Sequence, residues 1–170
     1  MLLVLAWAGV AAWQAGAGLV GRAPSAIIPL LALVGLGVAA YLAFVETASV
    51  EAVCGPVGDC TTVQQSEYAR LFGLVPIGVL GVVAYAAILA AWVVGVRAAP
   101  AVARVARLAL LAMAFGGTAF SVYLAFLEPF VIGATCAWCL TSAALTTALL
   151  VVAVRSMTTA GPSAAGAATR

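Results

Sequence analysis

At 170 residues, 66% hydrophobic and 7% charged, with a mean hydropathy of +1.26, the chain lies far from the roughly 25% charged content of an ordinary soluble domain and reads as an integral membrane protein. A net charge of +2, with no basic run and no aromatic-interleaved basic patch, gives no sign of a nucleic-acid partner. Histidine and lysine are absent, which removes the usual proton shuttles, most metal-ligand sets and Schiff-base chemistry, so no metal is expected and the four cysteines become the main candidates for reactivity.

A transmembrane helix needs about 20 mostly apolar residues, so this length permits four or five spans and leaves no room for a separate soluble domain. The first apolar run, Leu2 to Val20, contains Gln14 and several glycines and has no basic n-region. It makes a poor signal peptide and reads as an extra span, with an interfacial helix or a misplaced start as the alternatives. Four further runs predict transmembrane helices at Ile27 to Val45, Leu71 to Val96, Leu108 to Leu127 and Phe130 to Val154. The expected organisation is an N-terminal apolar segment over 1–21, a four-helix membrane domain over 22–156, and a disordered Ala/Gly/Ser/Thr-rich tail over 157–170. The fold class is all-α: a membrane bundle with one short interfacial half-helix.

Charge assigns the sides. Arg22, the group Arg97, Arg104 and Arg107, and Arg155 with Arg170 fall in alternate connections, which the positive-inside rule places in the cytoplasm. Glu46, Glu51, Asp59, Glu67 and Glu128 fall in the opposite ones, with Arg70 the lone basic residue there. Cys54, Cys60, Cys136 and Cys139 are all on that acidic, outer side, the periplasmic or extracellular side of a multi-pass cytoplasmic-membrane protein, where disulfides persist.

Between the first two confident spans, Gly55-Pro56 and Gly58-Asp59 mark turns around the first cysteine pair, and Thr62 to Leu71 predicts a short helix at the interface. Pro76, flanked by Gly73 and Gly78, is expected to kink or interrupt the next helix near its outer end. Asp59 beside Cys60 would raise that thiol's pKa by like-charge repulsion, or would simply be a solvated turn residue. Gly35, Gly78, Gly81, Gly116 and Gly117 permit close helix packing.

An internal repeat runs through the chain. Tyr41-Leu42-Ala43-Phe44-Val45-Glu46 recurs as Tyr123-Leu124-Ala125-Phe126-Leu127-Glu128, and the same offset aligns Gly35 with Gly117 and Cys54 with Cys136. It implies two helix hairpins of like orientation, each presenting sulfur to the same face.

Cys136 and Cys139 are three residues apart, so both sulfurs lie on one face at the start of a helix. The preceding Gly133 and Thr135 suit a helix start, with Thr135 a candidate N-cap. The helix dipole there favours thiolate over thiol. Cys54 and Cys60 can close a small flexible ring. Two redox pairs on one face can pass a disulfide by thiolate exchange, taking electrons from a soluble dithiol and giving them to something in the membrane. The rival readings are a structural disulfide staple and a small membrane scaffold or transporter subunit; against transport, no ionisable residue sits in the middle of a confident span.

Cys54, five residues, Cys60-Thr61-Thr62-Val63, then Ser66-Glu67-Tyr68-Ala69, Phe72-Gly73-Leu74-Val75-Pro76, and finally Cys136-Ala137-Trp138-Cys139 resemble, in that order, the bacterial branch of the vitamin K epoxide reductase family, across roughly Ile27 to Val154. The DsbB family does similar work, but there a CxxC pair precedes the wider-spaced pair. The resemblance implies a quinone-dependent thiol–disulfide oxidoreductase that reoxidises a periplasmic DsbA-like partner of thioredoxin fold. Cys54 would be the outer shuttle that meets the partner, Cys60 the inner shuttle, Cys136 the member that forms the mixed disulfide with Cys60, and Cys139 the sulfur beside the quinone, ubiquinone or menaquinone. Ser66 resembles the family's serine near the quinone. Phe72 and Trp138, with Leu140 and Phe130, are candidates to line its pocket. Where the animal enzymes carry a vitamin-contacting tyrosine and an asparagine, this chain has Ala143 and, in ungapped alignment, Ile77, which favours plain quinone reduction over vitamin K epoxide reduction. Ser66, Tyr68 and Glu67 are candidates for the proton path.

Overall fold

The computed structural model describes residues 24–54 and 58–158; the apolar segment 1–21, nearly all of the tail and the Gly55-Pro56 turn lie outside them. Four helices are long and apolar enough to cross a membrane, and they are α1 (Pro24–Ala48), α3 (Ile77–Arg97), α4 (Pro100–Leu127) and α5 (Ala137–Thr158), with a short α2 (Cys60–Gln65) between the first two. The protein is an all-α multi-pass membrane bundle. Helix α1 packs on α3 and α5, and α4 packs on the same two, closing a ring of four.

Small residues allow that closeness. A Cβ on Gly35 would run into the Tyr85 ring, and one on Gly78 would run into the backbone of α1 at Leu42 and Ala43. In lipid, where apolar side chains gain little by leaving their surroundings, such backbone approach is a main source of helix association. A Cβ on Gly81 would stand 3.1 Å from the Ala39 methyl group, whereas one on Gly116 would meet open space. The inner seam of α1, α3, α4 and α5 is filled by Ala32, Ala39, Tyr85, Ile88, Leu110, Ala114 and Leu149.

Helix starts differ from those read off hydropathy, and the reasons are local. The run from Leu71 does not begin a span. Arg70–Leu71 pairs antiparallel with Val75–Pro76, joined by Phe72 and Gly73 at φ values of 53° and 72°. Pro76 then sits just before the first turn of α3, a place where its missing N–H costs nothing, so it starts the helix and does not kink it. Helix α4 begins at Pro100, earlier than its hydropathy indicates, and continues past Leu127 into a π turn over Glu128–Ile132. Gly133, in the left-handed region at φ 75°, ends that turn, which is why Phe130 does not begin the last span. The interfacial helix is shorter than expected. Cys60–Gln65 is followed by a 3-10 turn over Glu67–Ala69.

Candidate functional site

Both cysteine pairs sit at one end of the bundle, and the arginines Arg97 and Arg104 at the other, because each hairpin leaves and returns through the same end. Asp59 starts α2. Its carboxylate accepts from the Thr62 N–H at 3.0 Å and from the Thr62 hydroxyl at 2.5 Å, and these bonds hold its pKa below the ordinary carboxylate value. Asp59 is thus the N-cap of α2, directly before Cys60, which is joined to Cys54 in a disulfide. The loop is fixed to the last helix at the same point. The Asp59 N–H donates to the Thr135 carbonyl at 3.0 Å, and Gly58, at φ 112°, comes so near that carbonyl that a Cβ would stand 2.8 Å from it.

The cap of α5 is not Thr135. Helix α5 opens at Ala137, so Cys136 is the capping residue, and its sulfur accepts from the Cys139 N–H at 3.4 Å, the position at which a capping side chain normally takes an orphan donor. Cys136 and Cys139 are free thiols. The Cys139 thiol, its N–H and the Gln64 carboxamide together lower the Cys136 pKa to about 7, against burial and the charge of Glu128.

Gln64 reaches this pair from α2. Its Nε2 donates to Cys136 Sγ at 3.5 Å and to Cys139 Sγ at 3.3 Å, and the residue is 7% exposed. Helix α2 carries Cys60 and Gln64 one turn apart. The same element therefore presents the loop disulfide and a hydrogen-bond donor to the second pair. Cys60 and Cys136 are buried together in one cluster with Val63, flanked by Cys54, Trp138, Cys139 and Ile132.

Below the cluster a cavity of about 340 Å³ opens among the four spans, within the range of small-ligand sites. It is lined mostly by apolar side chains, including Leu42, Ala84, Met113, Phe120 and Leu124. Its polar groups are the Cys139 thiol, Gln64, Ser66, Tyr68, Tyr85, Ser142, Thr146, Ser121, Glu46 and Glu128. Cys139 lines it and Cys136 does not. Ser66 also lines it, with its hydroxyl donating to the Val63 carbonyl at 2.7 Å.

The other residues expected at a pocket stand elsewhere. Phe72 is 90% exposed at the tip of the short hairpin, and neither it, Phe130, Leu140 nor Trp138 lines the cavity. Trp138 instead grips the loop. Its indole N–H donates to the Val53 carbonyl at 2.9 Å while the Tyr41 hydroxyl accepts from the Val53 N–H at 2.8 Å, and the two rings pack with centroids 4.9 Å apart. Both backbone groups of the residue before Cys54 are thereby held.

Sequence reasoning missed Gln64 and the two repeated glutamates as site residues. Glu46 and Glu128 are buried at 8% and 2% exposure, and they do the same work in each half. Glu46 accepts from the Gly78 N–H at the start of α3 at 2.7 Å, and Glu128 accepts from the Cys136 N–H at the start of α5 at 2.9 Å. The repeat was the signal that could have found them: a glutamate recurring at the end of each outgoing apolar helix calls for a buried partner. For Gln64 no signal exists in the sequence, since a glutamine on a six-residue polar helix reads as solvent-facing.

No curated protein matches the chain. Two sulfur pairs meeting at one end of a four-helix membrane bundle, one closed and one open above an apolar cavity, suit thiol–disulfide exchange within a bilayer. A family model described as the vitamin K epoxide reductase family matches residues 26–154, which takes in nearly all of the four described membrane spans, all four cysteines and the cavity, so the chain belongs to the vitamin K epoxide reductase family and is a membrane thiol–disulfide oxidoreductase.

Proposed function

We propose that the protein reoxidises a periplasmic DsbA-like partner of thioredoxin fold and passes the electrons to a membrane quinone, driving disulfide formation outside the cytoplasmic membrane. The observation that carries this reading is the division between the inner sulfurs. Cys136 is packed against Cys60 and away from the cavity, while Cys139 faces the cavity. In the proposed sequence the partner's thiolate attacks the Cys54–Cys60 disulfide at half-buried Cys54. The reduced loop then gives its electrons through Cys60 to Cys136, and Cys139 delivers them to the quinone. Ser66 and Gln64 would orient the quinone ring by turning a proton from the Val63 carbonyl and from the sulfurs, where they now donate, to a quinone oxygen. The positive-inside distribution of arginines supports a periplasmic position for the cysteine end, and residues 22–156 form the working domain. The energetics are undemanding: a DsbA-type oxidant lies near −120 mV, and about 30 mV of driving force already shifts a two-electron couple by roughly 1.4 kcal/mol.

Purified protein with quinone and a reduced DsbA-like protein, followed by quinone absorbance, tests the reading. Cys139→Ser should abolish quinone reduction with any donor. Cys54→Ser should block the protein donor yet spare turnover with a small dithiol. Equal loss with both donors in the Cys54 variant would refute the division of roles.

A further inference from the structure

Thiol oxidation releases protons, and the cavity holds a group placed to carry them. Glu46 and Glu128 both line it, and each keeps one carboxyl oxygen on a backbone N–H of the returning helix. Capping alone does not call for a glutamate, because an amide or hydroxyl accepts the same hydrogen bond without a titratable proton to bury. The two differ in what faces them. The charge in range of Glu46 is Arg70. No cation of the described residues faces Glu128; the titratable groups within range of it are Cys136, immediately before α5, and Cys139, on its first turn, while the neighbour on α2 is the neutral Gln64.

We propose that Glu128 is the proton acceptor of the Cys136–Cys139 dithiol and hands each proton onward to the acceptor in the cavity. The proposal rests on the quinone reading above. When the pair closes, two S–H bonds are lost and one S–S bond forms, and two electrons and two protons leave. Reduction of a quinone to the quinol consumes both. The Glu128 carboxylate takes the Cys139 proton, releases it to the substrate oxygen, and, restored to the carboxylate, takes the Cys136 proton by the same route. Glu128 ends as the carboxylate it began as, so the transfer adds no charge to the cavity, which is what a site surrounded by hydrocarbon requires.

The test is single-turnover reduction of quinone by the full chain with its CxxC pair pre-reduced, in H2O and D2O across pH. Glu128→Gln keeps an oxygen for the Cys136 N–H and loses the carboxylate that can take up and release a proton. We expect quinone reduction to slow about 100-fold, with a changed pH profile and solvent isotope effect, partial recovery in Glu128→Asp, and wild-type exchange between a reduced partner and the Cys54–Cys60 disulfide. Reduction by Glu128→Gln at the wild-type rate and pH profile overturns this proposal alone, whereas no reduction by the wild type overturns the quinone reading with it. Should the Gln variant fail to fold, infrared difference spectra of wild-type protein carrying 13C-labelled glutamate decide: a carboxyl band that gains and loses its proton during turnover is expected, and an unchanged carboxyl region overturns the proposal.

Discussion

Replacing Gln64 by leucine removes the donor that bridges both free sulfurs without opening a hole. Gln64 is 7% exposed beside Val63 and the cavity's apolar wall, and leucine has nearly its size. The carboxamide lies 3.5 Å from Cys136 Sγ and 3.3 Å from Cys139 Sγ, and a hydrogen bond to a charged acceptor contributes about 1.5 kcal/mol at the weaker end of its range, roughly one pKa unit. With the Cys136 thiol at about 7, about half of it is thiolate at pH 7, so one unit of rise leaves about a tenth and should cut the thiolate signal at that pH about fivefold. The sign follows from the direction of the shift. Thiolate is lost in wild type as pH falls through about 7, the variant loses it a unit earlier, and the two converge in alkali. Because Cys136 is fully buried, the assay is the pH dependence of ultraviolet thiolate absorbance with the loop disulfide intact, which needs no reagent to reach the sulfur. A titration midpoint that does not move in Gln64→Leu would show that the Cys139 hydrogen bonds alone set this thiol, and the reasoning would be refuted.

Two further substitutions test the scaffold and the loop. Gly78→Ala forces a methyl group into the α1 backbone at Leu42 and Ala43 and should destabilise the bundle by about 1–3 kcal/mol, read as a lower thermal midpoint in detergent, whereas Gly116→Ala, with open space around it, should leave that midpoint in place. Trp138→Phe keeps ring packing on Tyr41 but loses the donor to the Val53 carbonyl; with one of the two grips on the residue before Cys54 gone, the Cys54–Cys60 disulfide should be reduced several-fold faster by a small dithiol, and an unchanged rate would show that the Tyr41 bond suffices.

Legibility followed the range of the interactions. Four spans, the end of the bundle at which the cysteines gather and the CxxC pair opening a helix all come from composition and short spacing, and the structure agrees with them. Helix starts were less accurate where an apolar run contained a turn. Leu71 to Pro76 is hydrophobic enough to extend a span, yet Phe72 and Gly73 at positive φ turn it into a hairpin, and hydropathy averages cannot register a backbone angle. Thr135 looked like a cap by residue type, but the sulfur one residue later takes the Cys139 N–H, and the Thr135 carbonyl goes instead to Asp59.

What the sequence by itself determined is the class of molecule and the reagents: apolar runs long enough to span hydrocarbon must become helices there, because nothing else satisfies the backbone, and four sulfurs without histidine or lysine leave little other chemistry. Only the tertiary structure decided which sulfur faces the cavity and which faces the loop, that Trp138 holds the loop while Phe72 points away, and that Gln64, Glu46 and Glu128 converge on the site from three different elements. Those outcomes depend on contacts between residues far apart in the chain, where a polar side chain is set by the one partner that its burial leaves within reach.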